Sequence, residues 1–246
     1  MSGATAARAA PGVPAPQPRP PGRPHASVMI RISEVFLSIQ GEGPSAGTPA
    51  HFVRLQGCTV GCRWCDTRYS WAPEGGEAAT TAEAWDRARA LGAAPLLVVT
   101  GGEPLEHDGL EVLLREALER WPRVEVETSG VAPPPLSHER LAWNVSPKLP
   151  SATPRGEDTW RHAAAWIAEP RATFKIVVGD DPDAAEALRL IAAHAIPRER
   201  VMLMPEGLTE ERLRERARAL AEVCRREGLR LGPRLHVWLW GARRGV

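Results

Sequence analysis

Residues 95 to 130, PLLVVTGGEPLEHDGLEVLLREALERWPRVEVETSG, hold one complete structural unit. LLVVT is a short aliphatic run with no polar alternation, the pattern of a strand covered on both faces. A glycine pair ends it. Residues 109 to 121 then carry Leu and Ala at helical spacing behind Asp108, a residue suited to opening a helix. RVEVET returns to strand character, and a helix of this length between two strands supplies the crossover that parallel pairing requires.

The same alternation runs outward in both directions. HFVRLQG, LAWNVSP, TFKIVVG and VMLMPEG read as strands, and residues 81 to 91, 183 to 195 (behind Asp181-Pro182) and 209 to 227 read as helices. About six such units predict an α/β fold, a partial (β/α)6-like barrel rather than the full eight-stranded one. MIRISEVFLSIQGEG at the front and LHVWLWG at the back read as extra N- and C-terminal strands or caps. Ligands of parallel α/β folds bind at the C-terminal ends of the strands, which here read LQGC, VTGGEP, VETSG, NVSPK and LMPEG.

A chain of 246 residues with 43% hydrophobic content has room for one large domain and a substantial core. Its 31 basic and 30 acidic residues exclude a bulk electrostatic drive toward nucleic acid or an anionic membrane. No run of about 18 apolar residues occurs and no secretory apolar core opens the chain, so a soluble cytoplasmic protein is expected. Residues 1 to 28 are rich in Ala, Pro, Gly and Arg and hold no acid, a composition that cannot offset ordering entropy. They read as a disordered leader before a domain at 29 to 246, and Met29 is a candidate start of translation.

Three of the four cysteines, Cys58, Cys62 and Cys65, fall within GCTVGCRWCDT, residues 57 to 67. Thiols kept reduced in a cytosolic chain are free to bind metal. A closed zinc site wants four ligands, and no second pair completes this one, so zinc is a weak fit. His51, in AHFVRL, reads as a strand residue, and Cys224, in RALAEVCRREG, as a small buried hydrophobe. On a four-iron cubane, three thiolates leave one iron open to a substrate or cofactor.

The CxxxCxxC spacing with Trp64 before the last cysteine, followed by Gly101, Gly102 and Glu103 at the end of the next strand, resembles the radical S-adenosylmethionine superfamily. RISEVFLSIQGEGPSAGTPAHFVRLQGCTVGCRWCDTRYSW, with TGGEP, ETSG, NVSPK and RLHVWLWGARRGV, resembles more closely the 7-carboxy-7-deazaguanine synthase family, over residues 29 to 246. The resemblance implies a 4Fe-4S cluster on Cys58, Cys62 and Cys65. It implies S-adenosylmethionine at the open iron, with Trp64, Cys65, Asp66, Gly102, Glu127, Ser129, Ser146 and Lys148 around it. It also implies a pterin held by Ile39, Gln40, Gly41, Glu42 and Thr100, its carboxylate on Arg54, and Mg2+ at Thr67.

The reaction so implied turns 6-carboxy-5,6,7,8-tetrahydropterin into 7-carboxy-7-deazaguanine, on the route to queuosine and other deazapurines. An adenosyl radical takes hydrogen from pterin C6, the ring contracts, the hydrogen returns and ammonia leaves. Flavodoxin or ferredoxin as reductant and a homodimer are further implications. Met204, Pro205 and Glu206 take a similar rim position mainly by geometry, at the C-terminal end of their strand, and His236 and Arg244 sit in a tail that closes over the substrate in the family.

Each residue also has a plainer reading. IQGEG serves a tight turn, Arg54 an outward strand position, Asp66 a helix cap, Ser146-Pro147 a strand-ending turn, Lys148 a solvated base, and Trp238 and Trp240 a core strand. Rival functions are a glycyl-radical enzyme activase and a noncatalytic metal-cluster module. The long YSWAPEGGEAATTAEAW stretch after the cysteines is expected to change how the cluster is covered.

Overall fold

The computed structural model describes residues 28–246, so the expected leader, apart from Val28, lies outside the described residues. A nine-stranded sheet organises them. β1 (Met29–Ile39) and β2 (Pro49–Leu55) form an antiparallel hairpin, and β3 (Glu77–Thr80) pairs antiparallel with the free edge of β1. β4 (Leu96–Gly101), β5 (Arg123–Thr128), β6 (Leu141–Val145), β7 (Ala172–Val178), β8 (Val201–Pro205) and the two-residue β9 (Arg230–Leu231) follow from β2, each parallel to the one before. From β2 onward the spatial order is the sequence order. Right-handed crossovers that never reverse direction put the crossover helices on one face, and a twisted sheet wound this way curls toward a barrel. The expected partial barrel is what forms; its sheet does not close.

The sheet's two faces are read off strand parity. Val53, Leu55, Leu97, Val99, Val124, Val126, Phe174, Ile176 and Leu203 belong to the main core against the helices. Ala50, Phe52, Leu96 and Val98 form a separate small cluster inside the curl. That division explains why Leu96 through Val99 are all buried: each face of β4 has its own partner layer.

α1 (Thr81–Ala90) starts at a capping box between Thr80 and Glu83. α2 (Leu110–Arg120) lays Leu110, Leu113, Leu114, Ala117 and Leu118 on the sheet, each burial stabilising by about 1–3 kcal/mol. Asp108 does not cap it; the N-cap is Gly109, with no side-chain hydrogen bond. Between β6 and β7 the crossover is two short helices, α3 (Gly156–Trp160) and α4 (Ala163–Ala168), too brief for a periodic signal. α5 (Asp181–Ala193) has Asp180 as N-cap, accepting from the Asp183 amide at 2.9 Å. α6 (Glu210–Glu227) buries Leu213, Leu220 and Cys224, so the lone cysteine is a core residue as expected.

LHVWLWG departs from the sequence expectation. It forms α7 (Leu235–Trp240), not a strand, with only Val237 fully buried, while Trp238 and Trp240 are 49% and 37% exposed rather than core. The place beside β8 is taken by β9, and the backbone turns instead across the barrel mouth, where the Leu235 amide donates to the Gly41 carbonyl at 2.9 Å. Among the described residues no helix is long and apolar enough to cross a membrane.

Candidate active site

Inside the curl, parity sends a ladder of polar side chains toward one cavity of about 440 Å³ at the C-terminal ends of the strands. Arg54 follows Ala50 and Phe52 on β2, and Thr100 follows Leu96 and Val98 on β4. Glu127 on β5, Ser146 just beyond β6 and Lys175 on β7 occupy the equivalent inward positions. The loop after β1 folds back into this space. Its base is closed by the Gln40 amide on the Thr48 carbonyl at 2.8 Å, and its middle is seated by Ser45 donating to buried Glu125. IQGEG is thus both a turn and a wall of the cavity.

The cysteine loop lies between β2 and β3 and is anchored from both sides. The Cys58 amide donates to the Trp71 carbonyl at 3.1 Å, and Thr153 Oγ1 donates to the Val60 carbonyl at 2.6 Å. Arg63 and Arg155 tie the loop further to residues 151–155 through the Ala152 and Thr59 carbonyls. Gly102 must be glycine for a steric reason: a Cβ there would stand 2.0 Å from the Gly57 carbonyl oxygen. The GG step of β4 is therefore the floor on which the cysteine loop rests.

Cys58, Cys62 and Cys65 are half-buried and free, and all three line the cavity. Burial is the first cause that pushes the Cys58 thiol up, to about 11, and it also raises Cys62. Trp71 Nε1 points at Cys65 Sγ from 3.3 Å, a donor suited to a metal-bound thiolate. Among the described residues no three Cys, His, Asp or Glu side chains converge as a single ion demands. A cubane needs less convergence, because its three thiolates sit on three different irons. The donor set and its half-buried wall fit such a cluster, which would displace the thiol protons on binding.

A buried ion network faces the cysteines. Lys175 Nζ lies 2.5 Å from Glu42 Oε2 and 3.5 Å from Glu127 Oε1. Arg234 Nε donates to Glu42 Oε1 at 3.1 Å, its Nη1 to the Gly207 carbonyl at 2.7 Å, and its Nη2 to Asp66. Burial works against the Glu42 charge, yet Lys175, Arg234 and His236 hold its carboxyl far below the usual range. Burial works equally against Lys175, and Glu127 and Glu42 hold it protonated. Gln40 Nε2 and Thr100 Oγ1 donate to the two oxygens of Glu127 at 3.3 and 2.9 Å.

Glu103, of the GGE motif, turns inward instead of toward the cavity centre. Only 2% exposed, it accepts from Thr128 Oγ1 and Ser129 Oγ at 2.5 Å each, from the Ser129 amide at 2.7 Å and from the Leu105 amide at 3.0 Å. It clamps the end of β5 to the end of β4. Lys148 Nζ donates to Ser146 Oγ at 2.9 Å, so the SPK segment presents a paired ammonium to the cavity.

The residues expected from the sequence come together here. Ile39, Gln40, Gly41, Glu42, Arg54, Trp64, Asp66, Thr67, Thr100, Gly102, Glu127, Ser129, Ser146 and Lys148 share the cavity with the cysteines, and Met204, Glu206, His236 and Arg244 also line it. Pro205 does not. Asp66 caps no helix: the following turn, Arg68–Ser70, has Thr67 as N-cap without a side-chain bond, and Asp66 is spent on Arg234. His51 sits in β2 between Trp121 Nε1 and the Gly92 carbonyl, as a strand residue. Sequence reading missed Lys175, Arg234, Tyr69 and Glu34. A lysine at an inward position of the apolar TFKIVVG strand was the available signal for the first; nothing local marked Arg234.

Residues 52–142 match the Radical SAM superfamily. The 7-carboxy-7-deazaguanine synthase of Pyrobaculum aerophilum is 42% identical over 224 residues, spanning 89% of this chain and 99% of the relative. That of Chlorobaculum tepidum is 39% identical over 216 residues, spanning 86% and 94%. The crystal structure of QueE from Escherichia coli superposes with a TM-score of 0.60 at 27% identity, covering 83% of this chain and 93% of the other. Such identity along nearly the whole of a relative's length, together with a partial barrel whose cysteine loop opens on one cavity, means that this chain belongs to the 7-carboxy-7-deazaguanine synthase family of radical S-adenosylmethionine proteins.

Proposed function

We propose that this chain converts 6-carboxy-5,6,7,8-tetrahydropterin to 7-carboxy-7-deazaguanine with release of ammonia. One observation carries the reading: three cysteines spaced for a 4Fe-4S cluster open into the same cavity as Gln40, Glu42 and Arg54, a polar set suited to a carboxylated pterin. When bound, the cluster and S-adenosylmethionine supply one-electron carbon–sulfur cleavage and the means to take a hydrogen atom from the pterin.

The chain's residues do the holding. Glu42 is kept ionised by Lys175 and Arg234, and each of its oxygens retains a second lone pair for the N–H edge of the pterin amidine. Gln40 and the Gly41 backbone extend that edge-reading wall, and Arg54 takes the pterin carboxylate. Gly102, Ser129, Ser146, Lys148 and Trp64 surround the S-adenosylmethionine side, where Lys148 gives a cation for its carboxylate. Thr67, 3.5 Å from Cys65 Sγ, offers a hard oxygen to a Mg2+ whose other ligands are substrate oxygens and water. The tail from Ala242 to Val246 lines the mouth and keeps water from the reacting carbon. A glycyl-radical activase would need that mouth clear for a protein segment.

The reading includes a homodimer, supported by the exposed apolar run Trp238, Leu239 and Trp240, and a flavodoxin or ferredoxin as one-electron donor. The test is anaerobic reconstitution with iron and sulfide, reduction, and incubation with S-adenosylmethionine and the carboxylated pterin. Deazaguanine product is expected from the native protein and none from Cys62→Ala. A loaded, reduced cluster that gives no deazaguanine overturns the assignment.

A further inference from the structure

We propose that Arg244, carried by the C-terminal tail, joins Arg54 in a two-guanidinium clamp for the substrate carboxylate, with Glu34 as the positioning residue that holds both arginines. The proposal rests on the reading of Arg54 given above and adds a second binding residue and its support.

The local geometry begins with an irregularity in β1. The β1–β2 register shifts between Ile32 and Glu34, so Glu34 pairs directly with Arg54, where an unbroken ladder would have placed Ser33. Glu34 Oε1 accepts from Arg54 Nε and from the Tyr69 hydroxyl, both at 2.6 Å. Its other oxygen, Oε2, accepts from Arg244 Nε at 3.0 Å. Arg244 also donates from Nη2 to the Ser33 carbonyl at 3.2 Å, and its guanidinium stacks 4.1 Å from the Tyr69 ring centroid. One carboxylate thus organises two guanidiniums and a phenol, and Tyr69 serves both as hydrogen-bond donor to Glu34 and as a platform for Arg244.

Charge gives the arrangement its direction. Arg54 paired with Glu34 alone is neutralised and gains little from a second carboxylate. With Arg244 the set carries two positive charges against one negative, and a single incoming carboxylate balances it. Both arginines and Tyr69 line the cavity. Each arginine gives Nε to Glu34, so the planar terminal fork of Arg54 stays available for bidentate contact. The exposures differ in a useful way: Arg54 and Glu34 are 15% and 11% exposed, whereas Arg244 is 56% exposed on the tail. The buried half of the clamp is preformed, and the outer half arrives with the tail.

The experiment uses the full-length, cluster-loaded enzyme with S-adenosylmethionine under anaerobic conditions. Dissociation constants are measured for 6-carboxytetrahydropterin and for 6-methyltetrahydropterin, which lacks the carboxylate. Arg244→Ala is expected to weaken the carboxylated ligand about ten- to hundredfold while leaving the methyl ligand within about twofold. Arg244→Lys is expected to recover part of the loss, by restoring charge without the fork, and Glu34→Gln to reduce the same preference. Arg244 is exposed, so an unchanged melting temperature accompanies its two variants. Loss of the preference in Arg54→Ala but not in Arg244→Ala overturns the clamp and leaves the single-arginine reading intact. A native enzyme that binds the two pterins equally overturns both.

Discussion

Arg234 Nε stands 3.1 Å from Glu42 Oε1, and the same guanidinium reaches Asp66, the residue after Cys65. A single side chain, 8% exposed, therefore ties the loop after β1 to the cysteine loop and, through the Gly207 carbonyl, to the exit of β8. Replacing it with methionine keeps the volume and strands Glu42 beside one cation instead of two. Arg234→Met is expected to cost about 3–5 kcal/mol of unfolding free energy, the usual result of breaking a buried pair from one side. Anaerobic denaturant unfolding checks this; a loss under about 1 kcal/mol would show the network to be dispensable for the fold.

Lys175 sets the charge of Glu42 from the opposite side. The sign follows from the direction of the shift: a carboxyl held below its ordinary range stays ionised through neutral pH and takes a proton only on strong acidification. In the native protein, pterin affinity should be flat from about pH 8 to about pH 5.5 as far as Glu42 is concerned. Lys175→Met removes the nearest counter-charge while burial continues to favour the neutral acid. Pterin binding should then weaken progressively as pH falls across that same range, measured as a dissociation constant at each pH. An equally flat profile in the variant would assign the task to Arg234 alone.

Gly102 tests the floor beneath the cysteine loop. A methyl group added there meets the Gly57 carbonyl oxygen at 2.0 Å and the Ser70 carbonyl oxygen at 2.9 Å, both backbone atoms that cannot rotate aside. Gly102→Ala should displace the loop and lower iron bound per chain several-fold after reconstitution, read from iron analysis and the visible absorbance of the cluster. Gly232→Ala is the control, because its backbone is outside the left-handed region and its added methyl meets only ordinary van der Waals neighbours, the nearest at 3.5 Å.

How much of this was legible beforehand differs by physical scale. Periodicity located β4, α2 and β5 because each buries a full face, and strand parity then follows from the period of two. The cysteines were legible because their spacing is local, whereas Arg54, Thr100, Glu127 and Ser146 were picked out by the family resemblance. The plainer reading of Asp66, a helix cap, fails because its partner, Arg234, lies 168 residues away in sequence. Lys175 was missed for a related reason: its partners are 133 residues distant at Glu42 and across β6 at Glu127 on β5. LHVWLWG is too short and too uniformly apolar after His236 for periodicity to separate a strand from a helix; it forms α7, while β9 pairs with β8. Long-range electrostatics is a property of the assembled barrel, not of any window of residues.

His51 links the helix layer to pH. Trp121 Nε1 donates to its Nδ1 at 3.0 Å, so the neutral ring must carry its proton on Nε2, which donates to the Gly92 carbonyl at 3.1 Å. Protonating Nδ1 would destroy the tryptophan bond in a buried setting. Burial is the first cause of the lowered His51 affinity for a proton; the Gly92 bond opposes it and Arg89 adds to it. The unfolded chain binds that proton near pH 6.5 and the folded chain at a lower pH. Between the two the unfolded state holds more protons, so stability is full above about pH 6.5 and declines as pH falls through the window. His236, also lowered, acts in the same direction, so the contribution of His51 is the difference between native protein and a His51→Asn variant. The native melting temperature should drop by a few degrees more than the variant's between pH 7.5 and pH 5.5, at about 2–4 °C per kcal/mol for a chain of this size. Trp121→Phe, which leaves Nδ1 buried without its donor, should cost about 1–3 kcal/mol at pH 7.5 and reduce the pH slope. Parallel native and His51→Asn curves would mean that the ring shares its proton equally between the folded and unfolded states.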